Sequence, residues 1–373
     1  MKSYTLKLVS AICLSLILSS LLFADETNYP HLSFKESFGT GKWGYLDGTL
    51  EEAQFNRPQG MIITESGAIL VADTYNHCIR KIIRNSAVEE GQVTTFLGKC
   101  GVEGSGLEHL CEATENSNII LYKPTDILEK GNSIFVLDSG NNRLLEVSGN
   151  STREINTTDF CESFTDNCEI DDNKCNLKLP TAMTLIDNGL IFIADTGNHR
   201  IISVDSDQVI NLVAGTGKAG YDPEKRNAGE SPLDTPTAIV PYYNSSNLAA
   251  LFVVDSGNGL IRQLRPGESV DWLMSTIAGS DNFSTMLENT HTAQLFKLEK
   301  PYLMISKSNN GRNPLMISQP TKQRILGLTP TREIYIAYQG ENLAIPYAMA
   351  INANTDELWL FDSSGMLKVF DIE

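Results

Sequence analysis

The chain has 373 residues, with 29 Lys and Arg against 46 Asp and Glu, for a formal net charge of −17. Without a run of basic residues, that balance excludes a partner bound through phosphate neutralisation, so nucleic acid is not expected. Hydrophobic residues make up 41% of the chain. Beyond the first two dozen residues none of them form a stretch long enough to cross a bilayer, so no membrane span is expected in the mature chain.

Residues 1–24 read as an export signal. Lys2 and Lys7 give a positive start, Leu8 to Phe23 is uncharged and mostly apolar, and Ala24 suits a cleavage site. The expected product is residues 25–373, secreted and extracellular. Cys13 leaves with the signal, and six cysteines remain: Cys78, Cys100, Cys111, Cys161, Cys168 and Cys175. An even number in an exported chain points to disulfides. Cys100 and Cys111, close together in one connecting loop, are the favoured pair. Asn150, Asn156, Asn244 and Asn282 stand in N-x-Ser/Thr sequons within predicted loops, so glycosylation is expected.

After the signal, His31 to Gly39 has the composition of a strand and runs into Gly39-Thr-Gly41-Lys-Trp-Gly44. From Pro58 onward one unit returns six times, opened by Pro58, Pro124, Pro180, Pro236, Pro301 and Pro346. Each proline is followed by a short apolar run, a turn signal, and a second run ending in Asp73, Asp138, Asp195, Asp255, Gln319 or Asp362. A third run follows, then a fourth that often ends in Ala-Gly or Leu-Gly, as at Ile210–Gly215. Short β-branched and aromatic runs bounded by Gly, Asn and Asp read as strands. Four strands per unit, six times, give an all-β fold: a six-bladed β-propeller of four-stranded antiparallel blades. The sixth unit stops after its third strand, at Leu367–Glu373. The N-terminal strand is expected to complete that last blade and close the ring, leaving no open sheet edge.

The strand-end Asp residues occur once per unit at one position, which is scaffold logic: Asp there accepts backbone N–H groups and sets the turn. Arg143, Arg200 and Arg324 follow five residues later and can pair with these groups. His77 and His199 occupy equivalent turn positions. Gly39–Gly44 and Gly215–Gly220 match G-x-G-x-x-G, but no helix follows either, so they read as crossings between blades and not as dinucleotide sites. The residues after the prolines, Gln59, Thr125, Thr181, Thr237, Tyr302 and Tyr347, are expected to gather at one mouth of the central channel. With Asp126 beside them, they form the candidate binding ring for a small ligand or an ion.

Asn76-His77 and Asn198-His199, inside Ala-Asp-Thr-x-Asn-His-x-Ile, resemble the NHL repeat. Gly39 to Pro58 resembles the linker of many NHL propellers. The resemblance is strong in the first four units and weak in the last two, where Gln319-Pro320 replaces Asp-Thr. It implies three kinds of function. Most members are platforms that bind proteins, and some bind RNA through a basic face, which this acidic chain lacks. One branch resembles peptide-amidating lyases, which place zinc-binding His directly after blade prolines; here those slots hold no His. Lactonase-like propellers hold calcium with channel-lining acids and amides, of which only Asp126 can be placed.

The expected function is therefore a secreted binding or scaffold module that recognises a protein or other extracellular ligand through loops on one face, near 99–120 and 149–177. The alternative is a calcium-dependent hydrolase or lyase working in the channel. No cofactor is required by the first reading; calcium is the one the second would use. Nothing in the sequence indicates an oligomer, so a monomer is expected.

Overall fold

The computed structural model describes residues 30–373 apart from 85–90, 105–113, 156–175, 224–225, 245–246, 268–270, 280–290, 293–297, 300, 303, 307–314 and 330–331. The expected export segment 1–24, Cys111, Cys161, Cys168, Cys175, Asn156 and Asn282 lie outside the described residues, as does most of the two acidic loops. No helix among the described residues is long and apolar enough to cross a membrane.

The first strand, β1 (Leu32–Phe38), is followed by blade 1: a short β2 (Gly48–Thr49), then β3 (Gly60–Ile63), β4 (Ile69–Asp73), β5 (Cys78–Ile83) and β6 (Gln92–Gly98). Blade 2 holds β7 (Thr114–Glu115), β8 (Asp126–Lys130), β9 (Ser133–Asp138), β10 (Arg143–Ser148) and β11 (Ser151–Ile155). Blade 3 is β12 (Ala182–Leu185), β13 (Ile191–Asp195), β14 (Arg200–Val204) and β15 (Ile210–Ala214). Blade 4 is β16 (Pro236–Asn244), β17 (Asn247–Asp255), β18 (Leu260–Pro266) and β19 (Trp272–Ala278). Blade 5 holds β20 (His291–Thr292), β21 (Met304–Ser306), β22 (Leu315–Gln319), β23 (Arg324–Leu328) and β24 (Glu333–Tyr338). Blade 6 is β25 (Pro346–Asn352), β26 (Glu357–Asp362) and β27 (Leu367–Ile372), completed by β1 in the order β1-β27-β26-β25.

All pairings within these sheets are antiparallel, and the innermost strands touch in the cyclic order β3, β8, β12, β16, β21, β25 and back to β3. The ring of six blades is closed. Three blades depart from the expected four strands: β2, β7 and β20 each add a two-residue outer strand.

The second strand of each blade shows why the unit is so apolar. Every residue of β4, Ile69-Leu-Val-Ala-Asp73, is buried. Side chains alternate faces along a strand. Ile69 and Val71 join the core shared with blade 6, while Leu70 joins the core shared with blade 2. Six such cores, one between each pair of neighbouring blades, hold the described chain together.

Closure is a packing event as well as a pairing. Leu32 pairs with Ile372, Phe34 with Phe370 and Phe38 with Leu367. Leu32 is buried and Phe34 packs edge-on against Phe370, with ring centroids 5.7 Å apart. Lys35 bridges Glu357 at 2.6 Å and Asp371 at 3.2 Å.

The expected Cys100–Cys111 disulfide is corrected by the structure, which bonds Cys100 to Cys78. The reason is register. Cys78 opens β5 opposite Gly98, the last residue of β6, so the chain returns Cys100 to Cys78 with a Cα–Cα distance of 5.1 Å. Asn150 is exposed in the turn between β10 and β11. Asn244, expected in a loop, is instead the last residue of β16.

Candidate functional site

The strand-end carboxylates are scaffold. Asp73, Asp138, Asp195 and Asp255 are fully buried. Each accepts, at 2.7 Å, the backbone N–H of the residue two before a blade proline: Asn56, Tyr122, Lys178 and Asp234. Each also accepts an amide N–H from the Asn three residues on, Asn76, Asn141, Asn198 and Asn258. Arg143 and Arg200 donate to Asp138 at 2.9 Å and to Asp195 at 2.7 Å. Arg324 donates to Gln319 at 2.6 Å, so the worn fifth unit keeps the bond with an amide in place of the carboxylate. In blade 1 the cation comes from Arg80, which donates to Asp73 at 3.1 Å, and in blade 6 from Lys368, which donates to Asp362 at 2.6 Å.

The residue just before each of four blade prolines is left-handed: Arg57, Lys123, Leu179 and Thr235 have φ between 45° and 48°. That conformation costs a non-glycine residue on the order of 1–2 kcal/mol. The preceding blade supports it. His77 Nδ1 accepts the Lys123 N–H and His199 Nδ1 the Thr235 N–H, both at 3.1 Å, and the Asn142 side chain accepts the Leu179 N–H at 2.8 Å. The two histidines are thus turn acceptors that stitch neighbouring blades. Burial holds the His77 imidazole below its usual range.

Of the ring that follows the prolines, three hydroxyls also join blades. Thr125 donates to the Pro180 carbonyl at 3.0 Å, Thr181 to the Thr237 carbonyl at 3.1 Å, and Thr237 to the Tyr302 carbonyl at 2.8 Å. Gln59, Tyr302 and Tyr347 are half-buried. Desolvation, with the phenols of Tyr75 and Tyr347 nearby, pushes the Tyr302 phenol up to about 12. Asp126 accepts the N–H of Ile127 at 2.9 Å and, across the blade boundary, that of Met183 at 2.7 Å. Desolvation raises its carboxyl to about 7, against the pull of those two N–H groups. Gly60 lies against it: a Cβ there would come within 2.4 Å of the Thr125 carbonyl oxygen, so only glycine lets blades 1 and 2 approach this closely. Among the described residues no three His, Cys, Asp or Glu side chains gather as a metal-ligand set.

One cluster on the ring is absent from these sequence-derived candidates. Trp43 and Tyr75 are 50% and 41% exposed. The Arg57 guanidinium lies 4.6 Å from the Trp43 ring and 5.3 Å from the Tyr75 ring. The Lys123 ammonium lies 5.6 Å from Tyr75 and 5.1 Å from Tyr122, and Tyr122 in turn stacks on His77. Cations and rings alternate along one row. The segments beneath it are tied together: Asn76 donates to the Gly44 carbonyl at 2.6 Å and accepts the Gly101 N–H at 2.8 Å. Cys78–Cys100 fixes the same corner. The signal was present in the repeat. Tyr75 takes the slot that is Gly140, Gly197 and Gly257 in blades 2 to 4. Trp43 bridges Phe55 as Ala219 bridges Leu233. Both are aromatic where the equivalents are small.

Blades of this construction, with Asp, Asn and a following cation together locking the turns of blades 1 to 3 and parts of the same set recurring in blades 4 to 6, define a six-bladed NHL-repeat β-propeller. Residues 44–265 match the family model of the Teneurin NHL domain, and the chain belongs to that family. It is 26% identical over 339 residues to NHL repeat-containing protein 2 of Bos taurus, covering 83% of this chain and 44% of that protein. The chain spans less than half the length of the curated relatives it matches. Among solved structures it is similar to an auxiliary nutrient binding protein from Bacteroides ovatus, with a TM-score of 0.61 and 11% identity over 93% of this chain and 78% of that one. It is also similar to a gluconolactonase from Xanthomonas campestris, with a TM-score of 0.58 and 8% identity over 93% of this chain and 96% of that one. At such identities the likeness speaks for the fold alone.

Proposed function

We propose that the protein is a secreted binding module, a rigid NHL ring that holds a partner protein on the face carrying Trp43, Tyr75 and the 99–104 segment. One observation carries this reading. The ring's repeated Asp, Thr and His groups are engaged in joining strands and blades, while this face leaves Trp43, Tyr45, Leu46, Tyr75 and Val102 exposed on segments bonded to one another. Exposed apolar groups concentrated in one place mark interaction surfaces. Export is supported by the Lys2 and Lys7 start, the apolar run after it, and the Cys78–Cys100 bond, which suits an oxidising compartment. Mass analysis of the released protein is expected to give an N-terminus at Asp25.

The test of the face uses three immobilised proteins, wild type, Trp43→Ser/Tyr45→Ser and Asp126→Asn, exposed to extracellular proteins of the source organism. A partner held by wild type and by Asp126→Asn but lost from the double variant is expected. A partner held equally by all three would overturn the choice of face.

A second reading, a calcium-dependent hydrolase or lyase in the channel, is favoured by one observation: Asp126, a desolvated carboxyl near neutrality that opens β8, the innermost strand of blade 2. Ester or lactone turnover that needs calcium and vanishes in Asp126→Asn would establish it in place of the first.

A further inference from the structure

The row Trp43, Arg57, Tyr75, Lys123, Tyr122 carries a feature that the binding reading does not require. Arg57 and Lys123 are the two cations of the row, and among the described residues neither forms an ion pair with a carboxylate, in a chain with 46 acidic side chains. Cations nearby are paired: buried Arg80 is held by Asp47 at 2.6 Å and by Asp73 at 3.1 Å, and the more exposed Arg84 by Glu36 at 3.0 Å. The Arg57 Nε is buried and has no hydrogen-bond partner. Aromatic rings hold the two side chains in place without neutralising them. A guanidinium stacked on rings keeps its terminal Nη edge available, and that edge matches a carboxylate in two-point geometry.

Position argues in the same direction. Both cations occupy the left-handed residue before a blade proline, where His77 accepts the Lys123 N–H. The equivalent positions in blades 3, 4 and 6 are Leu179, Thr235 and Ile345, and blade 5 has Lys300, so the charge is no requirement of the repeat, and blades 1 and 2 are the neighbouring pair that both carry it. Both cations abut one ring, Tyr75, within reach of a single short segment. The exposed apolar groups on either side, Trp43 and Tyr45 among them, extend the surface past what one small anion would cover.

We propose that this row is a recognition site for an acidic peptide segment, with one carboxylate on Arg57, a second on Lys123, and an apolar or aromatic side chain between them against Tyr75. The inference rests on the binding reading above and names the chemistry of the partner at that face. Charge-assisted hydrogen bonds from a partly desolvated cation supply the selectivity, and the rings supply apolar contact.

The experiment uses the whole mature protein and an array of labelled five-residue peptides built from Glu, Asp, Phe, Tyr and Gly, beside a matched array with Gln and Asn in place of the acids. The expected result is retention of peptides with two acids flanking an aromatic residue, with the amide array bound about tenfold more weakly or worse, and affinity that falls with added salt. Arg57→Asn and Lys123→Asn, chosen because Asn tolerates the left-handed conformation, are each expected to weaken the best peptide about tenfold. Lys218→Asn, on the blade 4 linker, is expected to leave it unchanged. Equal binding of the acidic and amide arrays, or variants at Arg57 and Lys123 that bind like wild type, would overturn the proposal. Citrate that displaces the peptide with equal affinity would overturn the peptide as occupant in favour of a small organic anion. Each of these outcomes leaves the separate test with Trp43→Ser/Tyr45→Ser intact, so the failure of this inference is distinguishable from failure of the binding face.

Discussion

Asp195 shows what a single residue does in this ring. Its two oxygens, on a residue with no exposure to water, receive the Lys178 N–H, the Asn198 amide and the Arg200 guanidinium. Asp195→Ala removes a buried carboxylate from three donors, one of them the Arg200 guanidinium. Such a change costs about 3–5 kcal/mol, read as a lowered denaturation midpoint; a loss under ~1 kcal/mol would contradict the scaffold role. Asp126 makes a different prediction. Its folded carboxyl stands near 7, above the ordinary 3.8, mainly through desolvation. A raised carboxyl favours the folded state when protonated. Its contribution is therefore full below about pH 3.8 and is lost as pH rises to about 7. Asp73 and Asp255, each raised to about 6, act in the same sense, so the comparison that isolates Asp126 is wild type against Asp126→Asn. The stability gap between them should shift in favour of wild type as pH falls from 7 to 4; a constant gap would contradict it. The Asp and the Arg five residues on were legible in the sequence because they recur at fixed spacing. Arg80 was not, because it stands seven residues after Asp73. Two steps along a strand return to the same face, so it still reaches the carboxylate. Trp43 and Tyr75 were hidden for the opposite reason: they matter by departing from the repeat.

At the scale of the element, the disulfide is the instructive case. Nearness in sequence favoured Cys100–Cys111, whereas the β5/β6 register delivers Cys100 to Cys78, 22 residues away. Register depends on which strands pair and where a bulge falls, here between Ile79 and Arg80, and neither is written in cysteine spacing. Non-reducing peptide mapping is expected to recover a Cys78–Cys100 fragment, and Cys100→Ser to lower stability by about 3 kcal/mol through loss of a loop closure of this length. A Cys100–Cys111 fragment would contradict the register. The strands were legible where apolar runs are bounded by turn residues, which is why the six units and the closing strand could be placed. The edge strands β2, β7 and β20 were not, since two residues carry no periodicity to read.

For the whole molecule, ring closure and the recognition face are one construction. β1 completes blade 6 and passes directly into Gly39–Gly44, which carries Trp43 across to blade 1. Trp43 lies over the blade 6 turn, where a Cβ on Gly365 would stand 3.1 Å from its indole. The Phe38–Leu367 end of the closing strand pair thus leads straight into the exposed aromatic row. The fold was legible because a six-fold repeat leaves few ways to bury its faces. The face was less so, because a departure from the repeat in blade 1 becomes a surface only once the ring brings blades 6, 1 and 2 together. The most direct measurement compares a form beginning at Asp25 with a form beginning at Gly39, by thermal unfolding and by binding of the best acidic peptide. Loss of Leu32, Phe34 and Phe38 from two cores is expected to remove ~4 kcal/mol or more, lowering the unfolding midpoint and weakening peptide binding together. An unchanged midpoint, or a lowered midpoint with full peptide affinity at a temperature where both forms are folded, would contradict a recognition face built on the closed ring.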